Sequence, residues 1–339
     1  MRRLLWDGAK HFRVETYSAP PSAGEGQVLL RVRAVGVCGT DIHILNGWLP
    51  GVRPPLVLGH EFAGEVLETG PGVTRAKSGD RVTVDSVVGC GKCVFCLRGS
   101  RQFCRNGYEF GISRDGACQD LLVVPEENVY PVSDRISFEE AAILDMEVYA
   151  ALCRCSLRPG GAALVVGDGP AGLIACQILR VMGAGKVILS GASPGRLSKA
   201  KSLGLADAFV DATSDDLAEV VERETHGMGV DLAGDFVGTS ESAGAAFRSV
   251  VPGGSALLYG VHEAPLDQFD LNQIVLRDLK VFGALSDRVG WERIIQLVES
   301  GQLRLKPLIT HCFPLERGAE AFELVRHRAD GVVKAVITL

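Results

Sequence analysis

A glycine-rich segment opens a long alternating region, and it restricts the fold of this 339-residue chain more than any other feature. In VVGDGPAGLIACQIL, the residues Gly167, Gly169 and Gly172 lie between a buried-strand pattern and a segment with helical spacing. These glycines permit a tight turn, close approach to a pyrophosphate, and close packing of helix on strand. A plain glycine turn is the alternative, but the strand–turn–helix context favours a dinucleotide site at the helix N-terminus near Pro170.

Strand-like and helical segments alternate from about residue 158 onwards. KVILSG, AFVD and GVDLAGDFVG are typical of strands, and RLSKAKSLG and LAEVVERETHG are typical of the helices between them. This alternation predicts a doubly wound parallel sheet. The residues before it are β-rich, and the chain ends in another strand pattern, VVKAVITL. We therefore predict an α/β protein with a β-rich domain from residues 1–155 and 287–339, and a nucleotide-binding domain from residues 156–286.

Charge and hydropathy exclude two classes of partner. The formal net charge is −6 and no basic run is present, so we expect no nucleic-acid partner. No uncharged apolar stretch approaches the ~20 residues of a membrane helix, and the N-terminus lacks the apolar core of a signal peptide. We therefore predict a cytoplasmic protein with no membrane partner.

Four of the ten cysteines are clustered in GCGKCVFCLRGSRQFC. Two residues separate each neighbouring pair among Cys90, Cys93 and Cys96, and Cys104 follows closely enough to complete a tetrahedron. Four thiolates saturate a zinc ion, so the spacing predicts a structural zinc site without an open position. An iron–sulfur cluster and free thiols are the alternatives.

A second set of potential ligands comes from two separate segments. Cys38 lies in VGVCGTDIH, and His60 and Glu61 lie in LGHEFAGEV. A thiolate, an imidazole and a carboxylate leave a position for water or substrate, as catalytic zinc requires. A lone cysteine in a β-rich domain is more often simply buried, so the spacing leaves both interpretations open.

Together these motifs resemble those of the zinc-containing medium-chain dehydrogenases, which include alcohol, sorbitol and threonine dehydrogenases. The resemblance extends over nearly the whole chain. It is carried by the four-cysteine segment, by CGTD at 38–41, and by the GHE motif with the residues that follow it (Gly59, His60, Glu61, Gly64, Gly70 and Val73). It implies a GroES-like catalytic domain with an inserted Rossmann domain, and hydride transfer between a nicotinamide cofactor and a secondary alcohol or ketone.

The resemblance also implies two zinc ions per chain, one structural and one catalytic. The catalytic ion takes Cys38 and His60 as ligands, with a third acid from Glu61 or from Asp145 in AAILDMEVYAAL. We expect Asp145 to bind zinc, and Glu61 to bind it or to exchange with water. A helix N-cap is a second role open to Asp145.

Two further residues gain a catalytic role from the resemblance. Zinc polarises the substrate oxygen and makes the hydroxyl more acidic. Thr40 is then expected to hydrogen-bond that oxygen, and His43 to pass the proton to solvent, a task suited to an imidazole. A solvated loop histidine is the simpler interpretation of His43.

The end of the second strand of the nucleotide domain bears on the choice of cofactor. NAD enzymes place an acid there, ~20 residues after the glycines, to hold the ribose 2′-hydroxyl. In KVILSGASPGRL that position is Gly191, and no carboxylate follows Gly172 before Asp207. Without the acid, a 2′-phosphate can be received by three nearby residues, Ser190, Ser193 and Arg196. We therefore predict a preference for NADP(H), with NAD(H) as the alternative.

Glu147, in DMEVYA, indicates a polar small-molecule substrate. By resemblance this segment borders the substrate, where a carboxylate costs desolvation energy unless it has a polar or cationic partner. Hydroxyls or an ammonium group on the substrate would supply one, with Trp48 of NGWLPG as an apolar wall. We predict a polyol, sugar or amino-cyclitol. The alternative is that Glu147 faces solvent or pairs with an arginine.

The predicted last strand of the sheet, LKVFGAL, bears on assembly because it would expose an apolar edge in a monomer. We expect a homodimer or homotetramer. A zinc-free quinone or enoyl reductase, and a non-catalytic NADPH-binding protein on the same scaffold, are the other candidate functions. Both are disfavoured by the two sets of metal ligands.

Overall fold

A computed structural model of the chain describes residues 1–8, 11–18, 22–144, 146–266, 269–285 and 290–339. Its contacts divide the chain into two compact units, Met1–Leu144 with Trp291–Leu339, and Asp145–Gly290. This division assigns residues 145–155 to the second unit, whereas the sequence predicts them in the first. The functional domain boundaries therefore stay a prediction.

The strands within the described ranges are distributed over both units. They are β1 (Arg2–Gly8), β2 (His11–Thr16), β3 (Gln27–Gly36), β4 (Leu56–Val57), β5 (Glu61–Thr69), β6 (Arg81–Val84), β7 (Val87–Val88), β8 (Tyr108–Glu109), β9 (Leu121–Pro125), β10 (Val129–Pro131), β11 (Ala162–Val166), β12 (Lys186–Gly191), β13 (Ala208–Asp211), β14 (Val230–Asp235), β15 (Val250–Leu258), β16 (Lys280–Gly283), β17 (Ile309–Pro314) and β18 (Lys334–Thr338).

The described helices are mostly short in the first unit and longer in the second. They are α1 (Gly39–Leu45), α2 (Val94–Leu97), α3 (Phe138–Ala142), α4 (Met146–Cys153), α5 (Pro170–Val181), α6 (Pro194–Ser202), α7 (Leu217–Glu224), α8 (Ser240–Ser249), α9 (Asn272–Val275), α10 (Trp291–Glu299) and α11 (Gly318–His327). Single 3₁₀ turns occur at Arg101–Phe103, Glu126–Asn128, Lys306–Leu308 and Leu315–Arg317.

The first unit is built around a seven-stranded sheet. Six of its strands lie in the order β10-β6-β5-β3-β18-β17, and β9 also pairs with β3. Strand β3 buries alternate residues such as Val28, Leu30 and Val32, which is the two-residue period of a strand with one face on the core. Its last residue, Gly36, pairs with Glu61 at the start of β5 and with Val336 of β18. Three distant segments therefore meet where β3 ends.

The second unit contains a six-stranded parallel sheet in the order β13-β12-β11-β14-β15-β16. This is the strand order of a Rossmann fold, in which the order reverses beside the first strand. Its strands are continuous apolar runs, because helices cover both faces of such a sheet. Helix α4 contacts α5, which is why α4 groups with this unit. The predicted fold class, a GroES-like domain with an inserted Rossmann domain, is confirmed.

Within the described ranges, every helix is too short or too polar to cross a bilayer.

Candidate metal centres and nucleotide site

The first candidate site lies where β3 ends and β5 begins. Cys38, His60 and Glu61 each offer one ligand atom, and these three atoms lie within 4.8 Å of one another. Cys38 is the N-cap residue of α1, and Glu61 is the first residue of β5. The pairing of Gly36 with Glu61 aligns the two segments. The structure thus brings together the two segments that carry the predicted ligands.

Two glycines make this close approach possible. A Cβ on Gly36 would lie 2.3 Å from Glu61 Oε2, so any side chain there would displace the carboxylate. Gly59 has φ +97°, and a Cβ on it would lie 2.6 Å from Val35 Cγ1. The glycine of the GHE motif is therefore required both by backbone conformation and by space.

Asp41, a residue to which the sequence alone assigns no role, supports the site. It is fully buried, its Oδ2 accepts a 2.9 Å hydrogen bond from Cys38 N, and its Oδ1 lies 3.4 Å from His60 Nδ1. Contact at Nδ1 leaves Nε2 of His60 for a metal, as in carboxylate–histidine–zinc arrangements. Burial by itself lowers the pKa of His60, but Asp41 and Cys38 together hold that pKa well above its ordinary value. Asp41 lies three residues after Cys38, which is the spacing of a helix capping box, and this spacing is the signal in the sequence that could have indicated its contact with Cys38.

Lys334 is a second supporting residue, and it had no signal in the sequence. Its Nζ lies 2.8 Å from Oε1 and 2.6 Å from Oε2 of Glu61, although 273 residues separate the two. Only 6% of Lys334 is exposed. The pairing of β18 with β3 brings this ammonium to Glu61, so the tertiary fold alone creates the contact.

The donor set fits a zinc ion. Burial raises the pKa of the Cys38 thiol, and the neighbouring Glu61 charge raises it further. A divalent cation at this point would reverse both effects, because it stabilises the thiolate and the carboxylate together. A thiolate, an imidazole and a carboxylate are the ligand types that zinc accepts in sites with an open position.

The other catalytic candidates of the first unit lie on α1 or just after it. Thr40 Oγ1 is 3.7 Å from Cys38 Sγ, and His43 is half-buried on the same helix. The backbone N–H of Trp48 donates to the His43 carbonyl at 2.9 Å, and Trp48 is 47% exposed.

Glu147, the candidate substrate-binding residue of the second unit, is half-buried in the first turn of α4. Asp145, the other predicted zinc ligand, lies outside the described residues.

The second candidate metal site is the four-cysteine segment. The Sγ atoms of Cys90, Cys93, Cys96 and Cys104 all lie within 4.8 Å of one another. Cys93 Sγ is 3.5 Å from Cys96 Sγ and 3.7 Å from Cys104 Sγ. All ten cysteines are free thiols, and all belong to the described residues. The geometry therefore fits four thiolates around one ion better than disulfide pairs.

Backbone N–H groups prepare these thiols for metal binding. The N–H of Lys92 is the main cause that lowers the pKa of Cys90 to about 6, and the N–H of Cys96 lowers the pKa of Cys93. Burial and the neighbouring thiols instead raise the pKa of Cys96 to about 11. Four adjacent thiols cannot all ionise without a cation, which is the charge that zinc supplies.

A buried ion pair joins the four-cysteine segment to the core of the first unit. Arg101, in the turn between Cys96 and Cys104, forms a salt bridge with Asp85, and both side chains are buried. Asp85 also accepts a 3.2 Å hydrogen bond from Trp291 Nε1. The four cysteines can therefore hold the segment around an ion, and the Arg101–Asp85 ion pair attaches the segment to the core.

The glycine motif of the second unit has the geometry of a phosphate site. Gly167 has φ +122°, and a Cβ on Gly172 would lie 2.0 Å from Gly167 O, so both positions require glycine. A Cβ on Gly169 would meet nothing within 4 Å. Pro170 follows at N1 of α5, and Gly169 provides no side-chain cap. The N-terminus of α5 thus has no side-chain cap and has open space beside Gly169, as a pyrophosphate site requires.

The residues predicted to receive a 2′-phosphate have other partners. Ser193 is the N-cap of α6, and its hydroxyl accepts from Arg196 N at 3.5 Å. Arg196 Nη1 lies 3.9 Å from Asp168 Oδ1. Ser190 is 3% exposed in β12, and a Cβ on Gly191 would lie 2.4 Å from Asp168 Oδ2. Asp168, to which the sequence alone assigns no role, therefore lies beside Gly191, Ser193 and Arg196.

Two family models match these regions. Residues 24–134 match the alcohol dehydrogenase GroES-like domain, and residues 170–300 match the zinc-binding dehydrogenase domain. Among curated proteins, the chain is 35% identical over 321 residues to an L-threonine 3-dehydrogenase of Pyrococcus abyssi, and the match covers 92% of each protein.

Solved structures agree with these matches. An alcohol dehydrogenase from Thermus sp. ATN1 superposes with a TM-score of 0.91 at 30% identity, covering 100% of this chain and 99% of that one. A zinc-binding dehydrogenase from Sinorhizobium meliloti 1021, solved with NADP, gives a TM-score of 0.90 at 28% identity, covering 100% and 99%.

The chain belongs to the zinc-containing medium-chain dehydrogenase/reductase family. The predicted enzyme class is thereby confirmed: it is a zinc-dependent alcohol-type dehydrogenase that uses a nicotinamide cofactor and a small-molecule alcohol.

Proposed function

We propose that this protein transfers a hydride between a nicotinamide cofactor and the carbinol carbon of a polar secondary alcohol, and that Cys38, His60 and Glu61 form its catalytic metal site. The convergence of their three ligand atoms within 4.8 Å is the observation that carries the proposal. Asp145 is retained as a further ligand from the sequence prediction. A bound zinc would supply Lewis-acid polarisation of the substrate oxygen.

The chain's own residues hold the substrate oxygen and move its proton. Thr40 follows Cys38 by two residues, so its hydroxyl is available to hydrogen-bond an oxygen that approaches the ligand set. His43 lies one helical turn further on the same helix and carries the proton toward solvent. Asp41 fixes the orientation of His60, and Lys334 fixes that of Glu61.

Two zinc ions per chain follow from the two ligand sets. The four cysteines form a closed set suited to a structural ion, and the mixed set is suited to a catalytic one. Metal analysis of the purified protein should give two zinc ions per chain. One ion would favour the non-catalytic nucleotide-binding alternative, and none would favour the zinc-free reductase.

The sequence predicts NADP(H) as the preferred cofactor. Gly191 in place of an acid supports it, as does the NADP bound to the Sinorhizobium meliloti neighbour. The position of Asp168, beside Gly191 and Arg196, weighs against it.

The substrate class follows from Glu147 and from the relatives. Glu147 is half-buried in the first turn of α4, and the sequence predicts that its carboxylate borders the substrate. The L-threonine 3-dehydrogenase relatives are named for a substrate whose hydroxyl lies beside an ammonium group. We therefore infer a secondary alcohol with a neighbouring hydroxyl or ammonium group, which includes polyols, sugars, amino-cyclitols and β-hydroxy amino acids. Trp48 is proposed as an apolar wall for such a substrate.

The experiment is a panel of these alcohols against short aliphatic secondary alcohols, run on wild type and on Glu147→Gln. We expect the polar substrates to react best, and the variant to lose roughly tenfold or more in kcat/KM for them, the value of about one charged hydrogen bond. Little change is expected for the aliphatic alcohols. Equal losses on both groups of alcohols would remove Glu147 from the substrate site.

We also propose a homodimer or homotetramer. Strand β16 pairs with β15 and forms one end of the six-stranded sheet as described. Exposed apolar side chains precede and follow it in the chain, with Val275 70%, Leu276 81% and Leu285 59% exposed. Burying such an edge in a second copy removes both the apolar surface and the unpaired strand. Light scattering at micromolar protein that gives only monomer would contradict this proposal.

A cytoplasmic location is kept as a proposal. The ten cysteines are free thiols, and four of them are clustered as a metal site. Such thiols persist in a reducing compartment.

A further inference from the structure

The side chain of Asp168 fills the space beside the end of the second strand of the Rossmann unit. A Cβ on Gly191 would lie 2.4 Å from Oδ2, 2.5 Å from Cβ and 2.6 Å from Cγ of Asp168. These three atoms are its nearest neighbours, and none could stay in place. Gly191 is therefore a glycine because Asp168 occupies the position of its side chain.

We propose that Asp168 supplies, from the first strand–helix turn, the carboxylate that NAD enzymes place at the end of the second strand. It holds the adenine-ribose hydroxyls of NAD(H) and disfavours the 2′-phosphate of NADP(H). The inference rests on the nicotinamide cofactor of the proposed function, and it departs from the NADP(H) preference predicted from Gly191. The carboxylate thus comes from the turn after β11 and not from the last residue of β12, but it lies at the same carboxyl end of the sheet.

The carboxylate is held in one orientation. Its Oδ2 accepts a 2.8 Å hydrogen bond from Ser193 N, and its Oδ1 lies 3.9 Å from Arg196 Nη1. The side chains of Asp168 and Arg196 are both 11% exposed. A carboxylate has about four acceptor sites, so these contacts leave acceptor capacity for ribose hydroxyls. A fixed, mostly buried acceptor of this kind binds a hydroxyl donor strongly.

A 2′-phosphate would be repelled by the carboxylate that a ribose hydroxyl can donate to. It carries roughly −1.5 to −2 charges at neutral pH, and it would lie beside a carboxylate of low exposure. Arg196 does not offset this repulsion fully, because its charge already lies near Asp168. The Ser193 hydroxyl serves as the N-cap of α6, and Ser190 is buried. Arg196 and Ser193 are thus engaged in other contacts, and Ser190 is buried.

The test uses the zinc-loaded full chain and two ligands without a nicotinamide ring, ADP-ribose and its 2′-phosphate. Calorimetry measures the dissociation constant of each. We expect wild type to bind ADP-ribose at least about tenfold more tightly, equivalent to about 1.4 kcal/mol. Asp168→Asn keeps an oxygen that can accept from Ser193 N and removes the charge. In this variant the ratio of the two constants should shift toward the 2′-phosphate by about tenfold or more.

A double variant separates a recognition role from a structural one. Asp168→Gly removes all three atoms that crowd position 191, and Gly191→Asp then returns the acid to β12. Gly191 does not have a positive φ, so its backbone accepts an aspartate. We expect the double variant to regain the preference for ADP-ribose that Asp168→Gly alone loses.

Three results would overturn the inference. They are tighter binding of the 2′-phosphate form by wild type, equal changes for both ligands in Asp168→Asn, and a double variant that does not recover the preference. The first leaves the proposed function intact and supports NADP(H). If wild type bound neither ligand, the proposed cofactor site would fail together with the inference.

Discussion

The two cysteine-containing sites of the first unit are built in opposite ways. Cys90, Cys93, Cys96 and Cys104 come from one short segment, and backbone N–H groups of that segment lower the pKa values of Cys90 and Cys93. Cys38, by contrast, meets His60 and Glu61 only because β3 pairs with β5. Its supporting residue Lys334 arrives from the far end of the chain through β18.

This difference separates two functions of metal ligands. A local set of identical ligands closes around its ion and stabilises the segment. Its loss should therefore lower the stability of the fold more than the catalytic rate. A set assembled by the sheet has mixed ligands and an open position. Its loss should therefore lower the catalytic rate more than the stability of the fold.

The largest effect is expected at Cys38. Cys38→Ser should lower kcat by about a thousandfold or more, because several kcal/mol of charge stabilisation depend on this ligand. Zinc content should fall from two ions to one per chain. Cys312→Ser is the matched control, since Cys312 is exposed and outside both ligand sets. A variant with two zinc ions and normal turnover would remove Cys38 from the catalytic site.

Cys93→Ser should show the reverse pattern. We expect the unfolding temperature to fall by about 10 °C or more, because metal binding and folding of this segment are coupled. At a temperature where the variant stays folded, kcat should remain within about threefold of wild type. Calorimetry and initial rates measure the two quantities. Loss of turnover in the folded variant, with stability unchanged, would mean that the four-cysteine set takes part in the chemistry.

Lys334→Met tests the counter-charge of Glu61. Removal of one partner of a buried ion pair costs about 3–5 kcal/mol, and we expect about 2–3 here because 22% of the Glu61 side chain is exposed. This loss in the free energy of unfolding should appear in chelator-treated protein. It should be smaller in zinc-loaded protein, since the metal then supplies the positive charge. Equal losses under both conditions would show that Glu61 does not share its charge with a metal.

Asp41→Asn should give the smallest effect. The amide keeps an acceptor for Cys38 N and removes the charge that faces His60. Zinc affinity of the mixed site and kcat/KM should each fall by about 10–100-fold, as for other residues that orient a metal-binding histidine. Asp80→Asn, in a Lys77–Asp80 ion pair outside both ligand sets, is the matched control and should leave both unchanged. An unaltered zinc affinity in Asp41→Asn would show that His60 is oriented by its own packing.

The chain's motifs indicated most of the candidate site, and physical reasons explain the residues that they did not indicate. Glycines and cysteines at short spacings carry their meaning locally, which is why Gly167, Gly172 and the four clustered cysteines could be predicted. Lys334 could not, because a lysine in a terminal strand becomes a partner of Glu61 only through strand pairing. Asp168 could not be predicted either, because a residue between two glycines gives no sign of the strand that its side chain will reach.

The sequence by itself determined the alternation that builds a parallel sheet, the closed four-cysteine set, and the glycines of the phosphate turn. Each depends on residues close together in the chain, where backbone geometry fixes the outcome. The tertiary structure decided which charges meet. Pairing of β3 with β5 and β18 placed Lys334 on Glu61, and parallel pairing of β11 with β12 placed Asp168 against Gly191. Electrostatic partners depend on distances in space, and the sheet sets those distances across separations in sequence that no local pattern encodes.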